Sequence, residues 1–200
     1  MIIDRDGALL GRAPGLPDEV FESDGLLTKR VVRASALAHL RPLPGQLLWD
    51  IGTGAGSIAI EWCRAADGAR AIGVERRADR ASRALANAER LTPAGAFRLV
   101  EGPADEVLTE LPAPDAVFVG GGGTTPVLEQ AMSALPPGGR LVVHGITVEA
   151  ELLCVAAHER WGGHLSRMQV ENAEPLGSLL GWKPYRTVIQ WAVEKGDTRH

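Results

Sequence analysis

The 200-residue chain is long enough for one domain with a buried core. Its 45% hydrophobic and 23% charged residues are ordinary for a globular protein. A formal net charge of -4 and a pI near 5.8 exclude the basic footprint of a nucleic-acid binder. No apolar run is long enough to span a membrane, so the chain reads as cytoplasmic, with neither a nucleic-acid nor a membrane partner.

Residues 1–27 read as a polar N-terminal arm or linker, Gly- and Pro-containing between Asp4 and Pro17, ahead of a domain over residues 28–200. A helix is predicted from Thr28 or Lys29 to Leu40. From Gln46 onward, short apolar runs alternate with helical patterns, as in a parallel sheet covered on both faces. Strand Gln46–Ile51 precedes a helix from near Ser57 through Arg64, and strand Arg70–Glu75 precedes an Arg/Ala-rich helix over Ala78–Leu91. Strand Phe97–Glu101 leads into a short helix over Ala104–Leu111. Strand Asp115–Val119 runs into Gly120–Gly123 and a helix over Pro126–Leu135.

The turn Pro136-Pro137-Gly138-Gly139 introduces strand Arg140–His144 and a helix with Val148, Leu152 and Val155 on one face. Two late β-rich runs, Leu165–Val170 and Arg186–Val193, flank a loop containing Pro175, Gly177, Gly181 and Pro184 and are expected to pair as a terminal hairpin. The expected architecture is α/β. It is a Rossmann-like, mostly parallel seven-stranded sheet with an antiparallel C-terminal strand and helices on both faces.

The chemistry-bearing residues fall at strand ends, where open α/β sheets hold ligands. Asp50-Ile51-Gly52-Thr53-Gly54-Ala55-Gly56 is G-x-G-x-G, not the G-x-G-x-x-G of a dinucleotide site. Glycines at alternate positions allow a sharp turn and close backbone approach. Asp50 would repel a pyrophosphate and suit a ligand with an amino group and a sulfonium. A tight βα turn with no ligand is the plainer alternative.

Glu75 closes the second strand, where a carboxylate can accept both hydroxyl hydrogens of a ribose. Gly102 and Ala104 follow the third strand, where small residues admit a purine ring. After the fourth strand, Gly120, Gly121 and Gly122 stand in a run of four glycines ending at Gly123. A bare backbone there leaves space for something broad and planar. Cys63 and Cys154 read as buried free thiols, and no Cys, His or acidic grouping has metal-ligand spacing.

Taken together, the glycine loop and strand-end acid resemble a class I S-adenosylmethionine-dependent methyltransferase over roughly residues 46–194. Four further segments, Gly15–Phe21, Leu27–Lys29, Phe118–Gly121 and Leu141–Thr147, resemble the cobalamin-pathway methyltransferases that methylate and decarboxylate precorrin-6B. Such proteins stand alone or form the C-terminal half of a precorrin-6Y C5,15-methyltransferase.

That resemblance implies S-adenosylmethionine as methyl donor, bound by Thr28, the loop Gly52, Thr53, Gly54, Ala55 and Gly56, and by Glu75 and Ala104. Asp50, Gly102 and Gly120 are added by their strand-end positions. Thr28 could instead cap the helix that follows it. The implied substrate is a polycarboxylate tetrapyrrole, methylated at C15 with loss of CO2 from the C12 acetate.

Lys29, Arg33, Lys183 and Arg186, with Gly121 and Gly122, are the candidate substrate contacts. His144, where the family often carries asparagine, is the candidate for proton handling, against a purely structural histidine. A homotetramer, and a fused or separate C5-methylating domain, are further implications. The alternatives are a class I methyltransferase for a tRNA base or protein carboxylate, or a non-catalytic module that binds S-adenosylmethionine.

Overall fold

The computed structural model of the chain describes residues 2–3 and 9–196; residues 1 and 4–8 of the expected arm lie outside them. A two-residue ladder, β1 (Ile2–Ile3) with β2 (Leu9–Leu10), is followed by a 3-10 turn at Asp18–Val20 and helix α1 (Arg30–Leu40). The body alternates β3 (Leu47–Ile51), α2 (Ser57–Ala65), β4 (Arg70–Glu75), α3 (Ala78–Leu91), β5 (Phe97–Glu101) and α4 (Ala104–Val107). It continues with β6 (Ala116–Val119), α5 (Thr125–Ala134), β7 (Arg140–Gly145) and α6 (Val148–Trp161). Strands β8 (His164–Met168), β9 (Glu171–Leu176), β10 (Leu179–Pro184) and β11 (Val188–Glu194) complete it.

Seven strands form one sheet in the order β5-β4-β3-β6-β7-β11-β8. β3 to β7 run parallel, and β11 is antiparallel to both β7 and β8. This is the expected Rossmann-like sheet. Because both faces are covered, its central strands are apolar on both sides. Leu48, Phe118 and Val142 pack against α1 and α2 through Leu37, Leu40, Ile58 and Trp62. Trp49, Val117 and Val143 face the other way, against Leu128 of α5 and Cys154 of α6. Thr124 and Thr147 cap α5 and α6 by accepting from the Val127 and Ala150 amides.

Two expectations need correction. Residues 16–27, within the expected arm over residues 1–27, lie on the body: Leu16, Val20 and Phe21 are buried with Ile60, Ala88 and Leu91. The packed body therefore reaches N-terminal of Thr28. The segment read as a loop between the late strands is itself a two-stranded hairpin, β9 with β10, in register from Leu176↔Leu179 to Glu171↔Pro184. Pro175 and Pro184 are tolerated there because each strand has an open edge where a missing N–H costs little.

Cys63 and Cys154 are free and buried, as expected. Burial pushes the Cys63 thiol up to about 12 and that of Cys154 to about 11, which leaves both unreactive. Among the described residues, no helix is long and apolar enough to cross a membrane.

The buried indoles each find an acceptor: Trp49 at Pro112 O, Trp62 at Arg70 O and Trp191 at Gly162 O. Trp191 also stacks on Trp161 with ring centroids 5.8 Å apart, locking α6 onto β11. Trp191→Ala is expected to destabilise the fold by about 3–5 kcal/mol through the cavity it leaves. In urea titration the midpoint should fall with the slope unchanged.

Candidate functional site

β3 and β6 are neighbours whose exits leave the sheet toward opposite faces, which opens a crevice at their carboxyl ends. Gly120 N donates to Ile51 O (2.9 Å) and Gly52 N to Val74 O (2.8 Å), so the ends of β3, β4 and β6 are level. A Cβ on Gly52 would stand 2.5 Å from Gly121 O, and Gly52 has φ +69°. Both the turn and the contact require glycine at that position. Gly120, Gly121 and Gly122 beyond it are exposed, so the crevice has one wall of bare backbone.

Asp50 lies behind the loop, 1% exposed. Its Oδ2 accepts from Thr53 Oγ1 (2.6 Å) and Ala59 N (3.1 Å), pinning the turn to the start of α2. Burial pushes its carboxyl up to about 6, opposed by those two hydrogen bonds and assisted by the charge of Glu75. Its Oδ1 is buried and has no partner among the described residues.

Glu75, at the end of β4, accepts from Gly54 N (3.0 Å) and from Arg77 N (3.1 Å), which fixes its carboxylate against the loop. Gly102 N donates to Glu75 O (3.0 Å), bringing Gly102 and the half-buried Ala104 alongside. Asp50, the glycine loop, Glu75, Gly102, Ala104 and Gly120 thus converge on one edge of the sheet.

Thr28, two residues before α1, reaches the same edge. Arg140, the first residue of β7, bonds Leu40 O at the far end of α1, whereas Ser35 bonds Gln190 beside His144 at the near end. α1 therefore runs antiparallel to β7, with its N-terminus at the carboxyl edge. The N-cap of α1 is Lys29, without a side-chain cap bond. The alternative role for Thr28, helix capping, is not seen.

The candidate substrate cations separate. Lys29 lies with its Nζ 5.5 Å from the Tyr185 ring centroid and 3.7 Å from Asp18. Arg186 is exposed next to Tyr185, and Lys183 is exposed on β10, paired with Glu174 at 2.7 Å. Arg33 needs correction. It is 0% exposed and its guanidinium bonds Glu61, Asp18, Thr28 O and Leu16 O, so no substrate can touch it.

His144 needs the same correction. Its ring is buried edge-on to Phe118 (centroids 5.0 Å), and its Nε2 donates to Gln190 Oε1 at 2.8 Å. Burial depresses it to about 4, with the Gln190 bond opposing and His39 reinforcing the shift. A ring that is neutral at pH 7 holds no extra proton to give away, so the geometry favours the structural alternative.

Sequence reasoning passed over Glu61 and Asn87. Glu61 accepts from the Gly15 and Leu16 amides and from Arg33 Nε. Asn87, fully buried, donates to Glu22 O (2.8 Å) and to Ala55 O of the glycine loop (2.9 Å). Each was signalled by a polar residue on an otherwise apolar helix face.

Comparison with known proteins places this edge in context. The model of the precorrin methyltransferase domain matches residues 19–195. A precorrin-6Y C(5,15)-methyltransferase (decarboxylating) from Sinorhizobium sp is 45% identical over 96% of the chain and 47% of its own length. The chain thus spans about half the length of that relative. A probable cobalt-precorrin-6B C(15)-methyltransferase (decarboxylating) from Pyrobaculum calidifontis is 38% identical over 72% of the chain and 76% of its own length. Among solved structures, the C-terminal domain of precorrin-6Y C5,15-methyltransferase from Rhodobacter capsulatus is 42% identical. It covers 92% of this chain and 100% of that one, with a TM-score of 0.87. With a matched sequence over nearly its whole length and a class I methyltransferase fold to carry it, this chain belongs to the precorrin methyltransferase domain family.

Proposed function

We propose that the chain methylates a precorrin at C15 with S-adenosylmethionine and removes the C12 acetate carboxyl as CO2, a cytoplasmic step of cobalamin biosynthesis. The observation that carries this reading is the crevice at the β3–β6 switch, with an acid at its ribose end and bare glycine backbone at its acceptor end. The residues present fit the donor. Glu75 offers a fixed carboxylate to ribose hydroxyls, Gly102 and Ala104 leave room for adenine, and the charge of Asp50 beneath the loop favours a cationic group above it. When bound, the donor supplies an electrophilic methyl group.

The protein's part is alignment. A reduced tetrapyrrole bridge carbon is already nucleophilic, so holding it in line could supply at most about 7–11 kcal/mol of the barrier reduction. Gly121 and Gly122 let the macrocycle plane approach without side-chain obstruction. Lys29 and Arg186, beside Tyr185, are placed for peripheral carboxylates, with Lys183 exchanging Glu174 for substrate. The macrocycle is the electron sink for decarboxylation. With His144 neutral and enclosed, the proton that completes the new methyl group comes from solvent. The C5 methylation in the names of the longer relatives is assigned to a separate domain.

Incubation with precorrin-6B and methyl-labelled donor should give labelled product one CO2 lighter. Label in tRNA instead, or donor binding without turnover, would replace this reading with a nucleic-acid acceptor or a binding module. Glu75→Ala should weaken donor binding roughly ten- to hundredfold, because a charge-assisted hydrogen bond contributes about 1.5–3 kcal/mol. Calorimetric titration measures it.

Asp50 gives the site a pH dependence. A cationic ligand favours the ionised carboxylate, so donor affinity should fall as pH drops through about 6, where Asp50 takes up a proton. Affinity measured from about pH 5 to about pH 8 should rise for the native protein. In Asp50→Asn the profile should be flat over that window.

The β9–β10 hairpin supports a homo-oligomer, with a tetramer as the proposed state. Leu176, Leu179, Leu180 and Trp182 are 71%, 73%, 73% and 74% exposed on a two-stranded ladder, an element marginal by itself in water. Burial against a second copy would remove that apolar surface. Leu180→Asp with Trp182→Ser should sediment as a monomer and keep a native circular dichroism spectrum. An unchanged mass would exclude the hairpin as the contact.

A further inference from the structure

The segment before α1 is tied to the body beside the donor crevice at three points that the function above does not use. Near its start, Gly15 N and Leu16 N donate to Glu61, and Leu16 O accepts from Arg33. In its middle, Asn87 pairs with both backbone groups of Glu22, accepting from its N–H (2.9 Å) and donating to its carbonyl (2.8 Å). The same side chain donates to Ala55 O in the glycine loop. At its end, Arg33 bonds Asp18 and the carbonyl of Thr28.

Three of the four acceptors of Arg33 therefore lie on this segment. The fourth is Glu61 of α2, the helix that the glycine loop begins. A buried ion pair adds little stability over an apolar replacement of similar volume, since desolvation offsets the attraction. What it supplies is position, and here the positioned group is Thr28. The Thr28 hydroxyl makes no hydrogen bond among the described residues, and its backbone is held by a side chain with no rotameric freedom left.

We propose that residues 15–28 form a strap that completes the donor site, with Arg33 and Asn87 as its positioning residues. Arg33 sets where Thr28 stands over the crevice, and Asn87 holds the strap in register with the glycine loop. Neither touches the donor. The inference rests on the S-adenosylmethionine reading given above. It adds that donor affinity is set by residues one layer behind the binding surface.

A double-variant cycle on the full chain tests it, reading the dissociation constant of S-adenosylhomocysteine by calorimetry. Thr28→Val and Arg33→Lys should each weaken binding about tenfold, since a small displacement of a positioning group is costly. Lysine keeps the charge of Arg33 but not its fork. The double variant should bind no more weakly than the worse single one, because Arg33 acts through Thr28. Asp18→Asn, on a partly exposed partner, should give a smaller loss and serves if Arg33→Lys does not fold.

Asn87→Ala should weaken binding and raise amide hydrogen exchange in residues 20–28 and 52–56 together. Native protein that binds the ligand, with affinity unchanged in the folded variants or with additive losses in the double one, overturns the strap alone. Native protein that does not bind it overturns the donor reading and the strap with it.

Discussion

Two backbone segments touch at Gly52 and Gly121 with no side chain between them, and the site is organised around that contact. The turn after β3 and the run after β6 come together where the strand order reverses, and only glycine gives both the positive φ and the clearance. The level ends of β3, β4 and β6 then put an acid at the tip of β4 and small residues at the tip of β5 within reach of one ligand. Asp50 beneath the turn is the cost of this arrangement. Its enclosed carboxyl is raised to about 6, and its hydrogen bonds to Thr53 and Ala59 keep the turn in shape.

Two independent supports hold the crevice in place. From below, the sheet fixes the loops by register. From the side, α1 and the preceding strap are fixed by Arg33, Glu61 and Asn87. The first support uses apolar burial, which tolerates substitution of similar volume. The second uses directed polar bonds in a dry interior, where an unmatched group is costly. The crevice thus has a tolerant floor and an exacting rim.

Much of this was legible in the residues alone. Alternating apolar runs and helical stretches mark the βα units, because the central strands β3, β4, β6 and β7 are buried on both faces and so read as continuous apolar runs. The alternating glycines and Glu75 marked the cofactor edge, since backbone conformation and strand ends are local properties. Long-range pairing was not legible. Arg33 looked like a substrate contact because it follows Lys29 and Arg30 on a helix start. It is enclosed only because Glu61 of another helix faces it. The β9–β10 hairpin reads as a loop in the sequence because its prolines and glycines are ordinary breakers, and an unflanked ladder does not exclude them. The place of His144 at a strand end suggests a proton handler, and Gln190, forty-six residues later, decides otherwise.

The pairing of β8 with β11 sets Met168 directly opposite Val188. The hairpin between them leaves and rejoins the sheet at adjacent points, so its two ends are held together whatever lies beyond them. Closing a longer or shorter excursion there costs little, since loop entropy grows only with the logarithm of length. The hairpin can therefore be lengthened, trimmed or resurfaced without shifting a single rung of the sheet. The geometry separates a part of the molecule free to vary in what it meets from a part bound to keep one cofactor in one place.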